Sequence, residues 1–197
     1  MAEMGWPGVI WLTLSMLAAM ASSCGFFLPY WLRGFYEEST PVFLGTFRRC
    51  NYPRLDDEGR VELVQECGRY TRFYDIPSIW WQISTVACGT GAAMALLVAT
   101  AGLTALCVRY VLTRGTAKVA AVLQLIAGLL MGGGVAVYPL GWGSREVQRV
   151  CGFISSPFEL GTCQLYWAFY LTASAGGLTL LCSILALCAP SRKTDYS

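Results

Sequence analysis

Apolar residues dominate four long stretches of this chain, and the polar residues are gathered between them. Residues 4–32, 76–108, 119–144 and 160–191 carry no charged side chain. Each stretch exceeds the roughly 20 residues that an α-helix needs to cross a hydrocarbon core of about 30 Å. Polar side chains inside them are too sparse to form the solvent stripe of a soluble amphipathic helix. The pattern predicts an all-α four-helix transmembrane bundle with helices over about 9–29, 79–108, 119–137 and 164–189. Two long loops, 30–78 and 138–163, would lie on one face of the membrane, with a short loop, 109–118, and a tail, 190–197, on the other.

The first run has the small residues of a signal-peptide end in Ala18, Ala19, Ala21, Ser22 and Ser23. It lacks a positively charged leader, since Glu3 is the one charge before it, and it closes on Phe26, Phe27, Tyr30 and Trp31. Tyr and Trp suit the membrane–water interface, so the run reads as an uncleaved first helix. The second helix follows Pro77, with Trp80 and Trp81 placed at the interface. Gly91, Ala95 and Ala99 recur every four residues in it, and Gly128 and Gly132 do so in the third. Such spacing predicts helix-packing faces that let helices approach closely in lipid. Gln124 is the lone polar side chain of the third helix, which ends at Tyr138-Pro139.

The first long loop is not featureless. Residues 33–75 hold 15 of the chain's 26 charged side chains, yet they keep enough large apolar residues to fold. Residues 42–49 read as a strand, with Val42 and Leu44 on one face and Phe43 and Phe47 on the other. Residues 61–67 read as a second strand or a short helix, and Asp56-Asp57-Glu58-Gly59 as an exposed turn between them. A small antiparallel β-sheet outside the lipid would satisfy their backbone groups.

Composition narrows the chemistry. Hydrophobic residues make up 55% of the chain and charged residues 13%, about half the roughly 25% of soluble domains. There is no histidine, which removes the commonest general base and neutral metal ligand. No catalytic, cofactor-binding or metal-binding motif is present, and no basic arm suggests nucleic acid. Arginine and lysine in the 109–118 turn, with Arg192 and Lys193, favour that side as cytoplasmic, although the rule does not decide it, since the first loop carries seven Arg beside eight acids. Cys50 and Cys67 lie in the first loop, Cys151 and Cys163 in the second. Two and two on one face suit an oxidising compartment. The most local pairing is Cys50–Cys67 and Cys151–Cys163, although four cysteines allow three connectivities. Cys24, Cys88, Cys107, Cys182 and Cys188 sit in apolar runs as small core residues. Of these, Cys107 and Cys188 fall near the cytoplasmic ends, where palmitoylation occurs.

In the second loop, Ser144 is placed to cap a short helical turn with its side-chain oxygen. Glu146 suits the first turn of that helix and stands three residues before Arg149, within pairing reach. The loop reads either as a stapled structural fold-back or as a surface for docking a partner.

Several residues carry a family resemblance. Tyr138-Pro139, Gly141-Trp142, Ser144, Glu146, Arg149, Cys151-Gly152, Gly161, Cys163 and Trp167 closely resemble the second loop of the lipoma HMGIC fusion partner-like tetraspan proteins. Trp31, Gly45, Phe47, Cys50 and Cys67 resemble their first loop. That family sits among the claudin-like tetraspans; here Leu-Gly-Thr-Phe replaces the central Gly-Leu-Trp of true claudins. The resemblance implies a left-handed bundle topped by an extracellular sheet, with Cys50–Cys67 and Cys151–Cys163 as disulfides. It also implies a non-enzymatic auxiliary, trafficking or assembly partner of a channel, receptor or adhesion protein. Such a protein would lie in the plasma membrane, contact the lipid bilayer, use no cofactor, and in some cases form a homo-oligomer. Two alternatives compete. Claudin-like adhesion would use the charged first loop, and a membrane thiol–disulfide oxidase would use the loop cysteines. The second lacks the Cys-x-x-Cys such enzymes commonly use. A pore lined by this chain alone lacks a charged residue in any helix.

Overall fold

The structure, a computed structural model, describes residues 6–36, 40–55, 61–107 and 113–188, with the side chains of residues 55, 61, 106 and 107 excluded. The expected acidic turn at 56–59, residues 109–112 of the short loop, the tail and the Cys107 side chain lie outside the described residues. Four long helices, α1 (Trp6–Phe27), α2 (Ile79–Cys107), α3 (Arg114–Val137) and α5 (Trp167–Cys188), are each long and apolar enough to cross a membrane. A short helix, α4 (Arg145–Cys151), lies between α3 and α5. Five strands complete the order: β1 (Leu32–Tyr36), β2 (Thr40–Leu44), β3 (Arg48–Leu55), β4 (Val61–Arg69) and β5 (Gln164–Leu165).

The long helices pack in a ring, α1 beside α2, α2 beside α3, α3 beside α5, and α5 beside α1. Their inward faces are built from small residues. On α1 these include Gly8, Ser15, Ala18, Ala19, Ser22 and Gly25; on α5, Ala168, Thr172, Ala175, Gly176, Thr179 and Ala186. The large side chains Ile10, Leu17, Met20, Leu181, Ile184 and Leu187 face outward. This is the inverse of a soluble bundle and follows from a lipid surround, where close backbone approach, not removal of apolar surface from water, draws helices together. A Cβ on Gly91 would lie 2.7 Å from Met131 Cγ and 2.8 Å from the Ala127 carbonyl, and one on Gly128 would lie 2.6 Å from Leu180. Ala95 is buried in the same packing. Gly132 behaves otherwise: it is exposed, and a Cβ there would meet nothing within 4 Å. Its four-residue spacing from Gly128 carries it just past the α3–α5 contact, so it does not pack inside the bundle.

Gln124 is buried and closes a network across the bundle. Trp11 Nε1 donates to Gln124 Oε1 (3.0 Å), Gln124 Nε2 donates to Ser15 Oγ (2.8 Å), and Ser15 Oγ donates to the Trp11 carbonyl (2.7 Å). The polar groups are thereby satisfied where no water can reach them.

Several expected boundaries move, and α1 runs from Trp6 to Phe27 where about 9–29 is expected. α3 begins at Arg114, five residues before the charge-free run, because Thr113 caps it by accepting from Thr116 N–H. The expected 42–49 strand divides into β2 and β3 around a turn in which Gly45 N–H donates to the Arg48 carbonyl (2.8 Å). The fourth helix starts at Trp167 instead of 164, since Gln164 and Leu165 form β5. The sheet is antiparallel throughout, in the order β4-β3-β2-β1-β5. Because β5 comes from the second loop and pairs with β1 of the first, one sheet joins both loops at one end of the bundle.

Candidate functional site

The family-like residues converge where the sheet meets the bundle, and Tyr138 stands at the centre. Its ring is fully buried, stacked on Trp81 at 5.0 Å and met edge-on by Trp31 at 4.8 Å. Trp142 and Phe169 close the remaining sides. Tyr138 Oη donates to the Leu44 carbonyl of β2 (3.4 Å), tying α3 to the sheet. Trp31 Nε1 donates to the Gly25 carbonyl (2.7 Å) and Trp81 Nε1 to the Tyr138 carbonyl (3.2 Å). Trp31 and Trp81, expected at the lipid interface, are therefore core residues. The adjacent Trp80 is partly exposed, because neighbouring positions on a helix point about 100° apart. Gly141 stands against the Trp81 indole, and any side chain there would displace the ring. Phe47 packs on Phe26 at 4.8 Å. Trp167, half exposed, stacks on Tyr30 at 5.7 Å.

A polar cluster lies above this aromatic layer. Glu146, in the first turn of α4, accepts from Arg49 Nη1 of β3 (2.7 Å) and from Tyr70 Oη (3.1 Å). The Arg49 guanidinium lies between two rings, 3.7 Å from the Tyr52 centroid and 4.6 Å from that of Tyr70. Burial pulls the Arg49 pKa down, but Glu146 and the two tyrosines outweigh it and leave it above the ordinary value. Burial first, and Glu146 second, push the Tyr70 phenol well above its ordinary value. Glu146 thus reaches across the loops to Arg49 and does not pair with Arg149, which is exposed in the last turn of α4. Ser144 occupies the N-cap position of α4, yet its Oγ makes no capping bond. That oxygen and Trp142 Nε1 are buried without a hydrogen-bond partner among the described residues. Arg49, Tyr52 and Tyr70 escape the sequence reading because their partners are brought together only by the fold.

Both disulfides form, Cys50–Cys67 and Cys151–Cys163. The first bridges directly opposed residues of β3 and β4. The second joins the end of α4 to the residue before β5 and is pressed on β1. A Cβ on Gly34 would lie 2.5 Å from both Cys163 Sγ and Val150 Cγ1. Gly152 ends α4 with φ of 88°, and Gly161 turns the chain with φ of 61°, both in the left-handed region that glycine tolerates. Thr162 N–H then donates to the Cys151 carbonyl (2.9 Å). Of the thiols, Cys88 and Cys182 are buried as expected. Cys24 and Cys188 are exposed on the outside, so neither is a core residue. Among the described residues no three acidic, cysteine or histidine side chains stand together to hold a metal.

Comparisons with known proteins match this architecture to one family. The family model described as "Lipoma HMGIC fusion partner-like protein" matches residues 7–190. The chain is 34% identical to LHFPL tetraspan subfamily member 2a protein of Danio rerio over 190 residues, covering 91% of this chain and 83% of the relative. It is 30% identical to the human LHFPL tetraspan subfamily member 2 protein, covering 90% and 84%. It is 27% identical to LHFPL tetraspan subfamily member 4 protein of Mus musculus, covering 95% and 73%.

Proposed function

The chain belongs to the lipoma HMGIC fusion partner-like family of tetraspan membrane proteins, and from that premise we propose that it acts as a non-enzymatic auxiliary subunit of another integral membrane complex. The partner is a channel, receptor or adhesion protein whose trafficking or assembly depends on it. One observation carries the reading. Gly132 and Gly133 of α3 and Gly177 of α5 are exposed, and a Cβ on any of them would meet nothing within 4 Å. Gly132 N lies 3.6 Å from the Cβ position of Gly176, so Gly132 and Gly177, the next residue on α5, flank the outer seam between α3 and α5, while Gly133 points about 100° further round α3. A shallow glycine-lined notch on a lipid-facing surface suits a further helix at close range. The rigid sheet platform, fastened by two disulfides and the Arg49–Glu146 pair, would present the loops to the same partner.

The sheet end faces the extracellular side in this reading and both termini face the cytoplasm, at the plasma membrane. The disulfides at the sheet end support that orientation. Exposed Cys188 then stands near the cytoplasmic end of α5, where palmitoylation is feasible. The second disulfide gives a thiol-oxidase reading no support, because both its cysteines are buried and exchange requires access to a sulfur, whereas Cys67 of the first is exposed. Purification from native tissue in mild detergent tests the proposal. A stoichiometric membrane partner should be recovered, and Gly132→Ile with Gly177→Ile should release it while leaving the chain folded. Recovery of the chain alone would refute the auxiliary role.

A further inference from the structure

Between α4 and β5 the second loop exposes three large apolar side chains, Phe153 at 88%, Ile154 at 72% and Phe158 at 64%. Their height along the bundle can be read from α3. Lys118 and Pro139 are 21 residues apart, about 32 Å at 1.5 Å per residue, which matches a hydrocarbon core of about 30 Å. With the Lys118 ammonium at one boundary, Pro139 marks the other. Phe158 N–H donates to the Pro139 carbonyl (3.3 Å), and Gly143 stands against Pro157. The tip of the loop is therefore folded back beside the end of α3 and does not project above it.

This height already carries a ring of exposed aromatics. Trp81 and Phe169 flank Tyr138 in the core, so their neighbours Trp80 and Tyr170, both exposed, stand at the same level on α2 and α5. Phe27 is exposed at the matching end of α1. Such belts mark the bilayer interface. At this end of α3 the belt has a gap, because Tyr138 and Trp142 are both turned inward. Exposed Phe158, whose N–H is bonded to Pro139, stands beside that gap.

The backbone is prepared for it. Ser155 N–H donates to the Gly152 carbonyl, Ser156 N–H to Glu159, Phe158 N–H to Pro139 and Glu159 N–H to Ser156, while Pro157 has none to satisfy. Every N–H from 155 to 159 is thus paired within the protein, which meets one part of the condition for leaving water, while the Pro157 and Phe158 carbonyls accept no bond within the described residues and suit the headgroup level. Phe158 has φ of 68°, an uncommon backbone for a bulky residue. The Glu159 carboxylate accepts from Ser156 Oγ (2.8 Å) and remains exposed at headgroup level. No bond from the N–H of Phe153 or Ile154 is made within the described residues, which keeps those two nearer to water.

We propose that the tip of the second loop is seated in the bilayer interface, with the Phe158 ring among the outer acyl-chain segments, completing the aromatic belt beside α3. The loop then serves as a lipid anchor that fixes the height of the sheet above the membrane. Photocrosslinking of the purified full chain in phosphatidylcholine nanodiscs tests this. p-Benzoylphenylalanine replaces Phe158 or Phe153, with Leu129 on the exposed face of α3 as lipid control and exposed Glu66 of β4 as solvent control. Lipid-mass adducts are expected at 158 at a yield comparable with 129, a lower yield at 153, and none at 66. No adduct at 158 beside a productive 129 would overturn the proposal, as would a protein adduct replacing lipid at 158 in cells. Hydroxyl-radical footprinting of the unsubstituted chain is independent of any folding defect. Phe158 should be oxidised several-fold less in nanodiscs than Phe35 of β1, which is 47% exposed in the structure. Equal or greater oxidation of Phe158 would overturn it.

Discussion

Glu146 is the side chain on which the two loops meet. Its carboxylate balances Arg49 and receives the Tyr70 hydroxyl, with the pair only 22% and 15% exposed. That geometry lies between a surface ion pair, worth little, and a buried one, whose disruption leaves an uncompensated charge. Glu146→Gln keeps the shape and removes the charge, leaving the Arg49 guanidinium between two rings without a counterion. It should lower stability by about 1.5–3 kcal/mol, the range for a hydrogen bond to a charged group. Thermal unfolding in detergent would register this as a lower midpoint. Tyr70 adds a pH signature. Its pKa is raised by burial and by Glu146, so the neutral phenol is the form the fold favours. Its contribution is fully present below the unfolded phenol value of about 10 and is lost as pH rises through the higher folded value. Stability should therefore be insensitive to Tyr70 at neutral pH and fall in strong alkali. Tyr70→Phe should remove part of that alkaline loss, and the difference in tyrosinate absorbance between the two proteins should show one late-titrating phenol.

At the scale of elements, small residues decide which helices touch. Gly91→Ala would force a methyl against Met131 and the Ala127 carbonyl, an overpacking that typically costs about 1–3 kcal/mol. Gly132→Ala meets nothing and should stabilise α3 by up to about 1 kcal/mol through helix propensity. Opposite shifts of the melting midpoint are expected from the same substitution in neighbouring helices; shifts of the same sign would contradict the packing. The same pair shows what sequence spacing can reveal. Four-residue repeats identify small faces, but whether a face meets another helix of this chain or looks outward is set by the ring of helices. The spans themselves are legible because lipid demands an unbroken apolar run. β5 is not, since its two residues lie inside such a run and become a strand only by pairing with β1. Trp80 and Trp81 are alike in sequence and part only when the bundle assigns them opposite surroundings. Glu146 was recognisable as part of a family pattern, while its partner Arg49, 97 residues away, was not. The local i, i+3 rule pointed to Arg149, and the ion pair to a strand of the other loop prevailed.

For the whole molecule, the asymmetry of its two ends governs how it sits in a membrane. One end holds the sheet, both disulfides and the aromatic layer; the other begins α3 with Arg114 and Lys118. Disulfides persist in oxidising compartments and carry the proposed orientation, whereas the positive residues do not add to it, because nine of the 14 Arg and Lys lie in the two loops at the sheet end. The proposed orientation is testable as one arrangement. An epitope tag appended at either terminus should bind antibody only after the plasma membrane is permeabilised. Exposed Glu66 of β4 gives the complementary site. Glu66→Cys should react with a membrane-impermeant maleimide on intact cells, whereas the lipid-facing thiols Cys24 and Cys188 should not. Labelling of either terminus on intact cells, or protection of position 66, would invert the bundle. The sheet would then be cytosolic, where reducing conditions oppose its two disulfides.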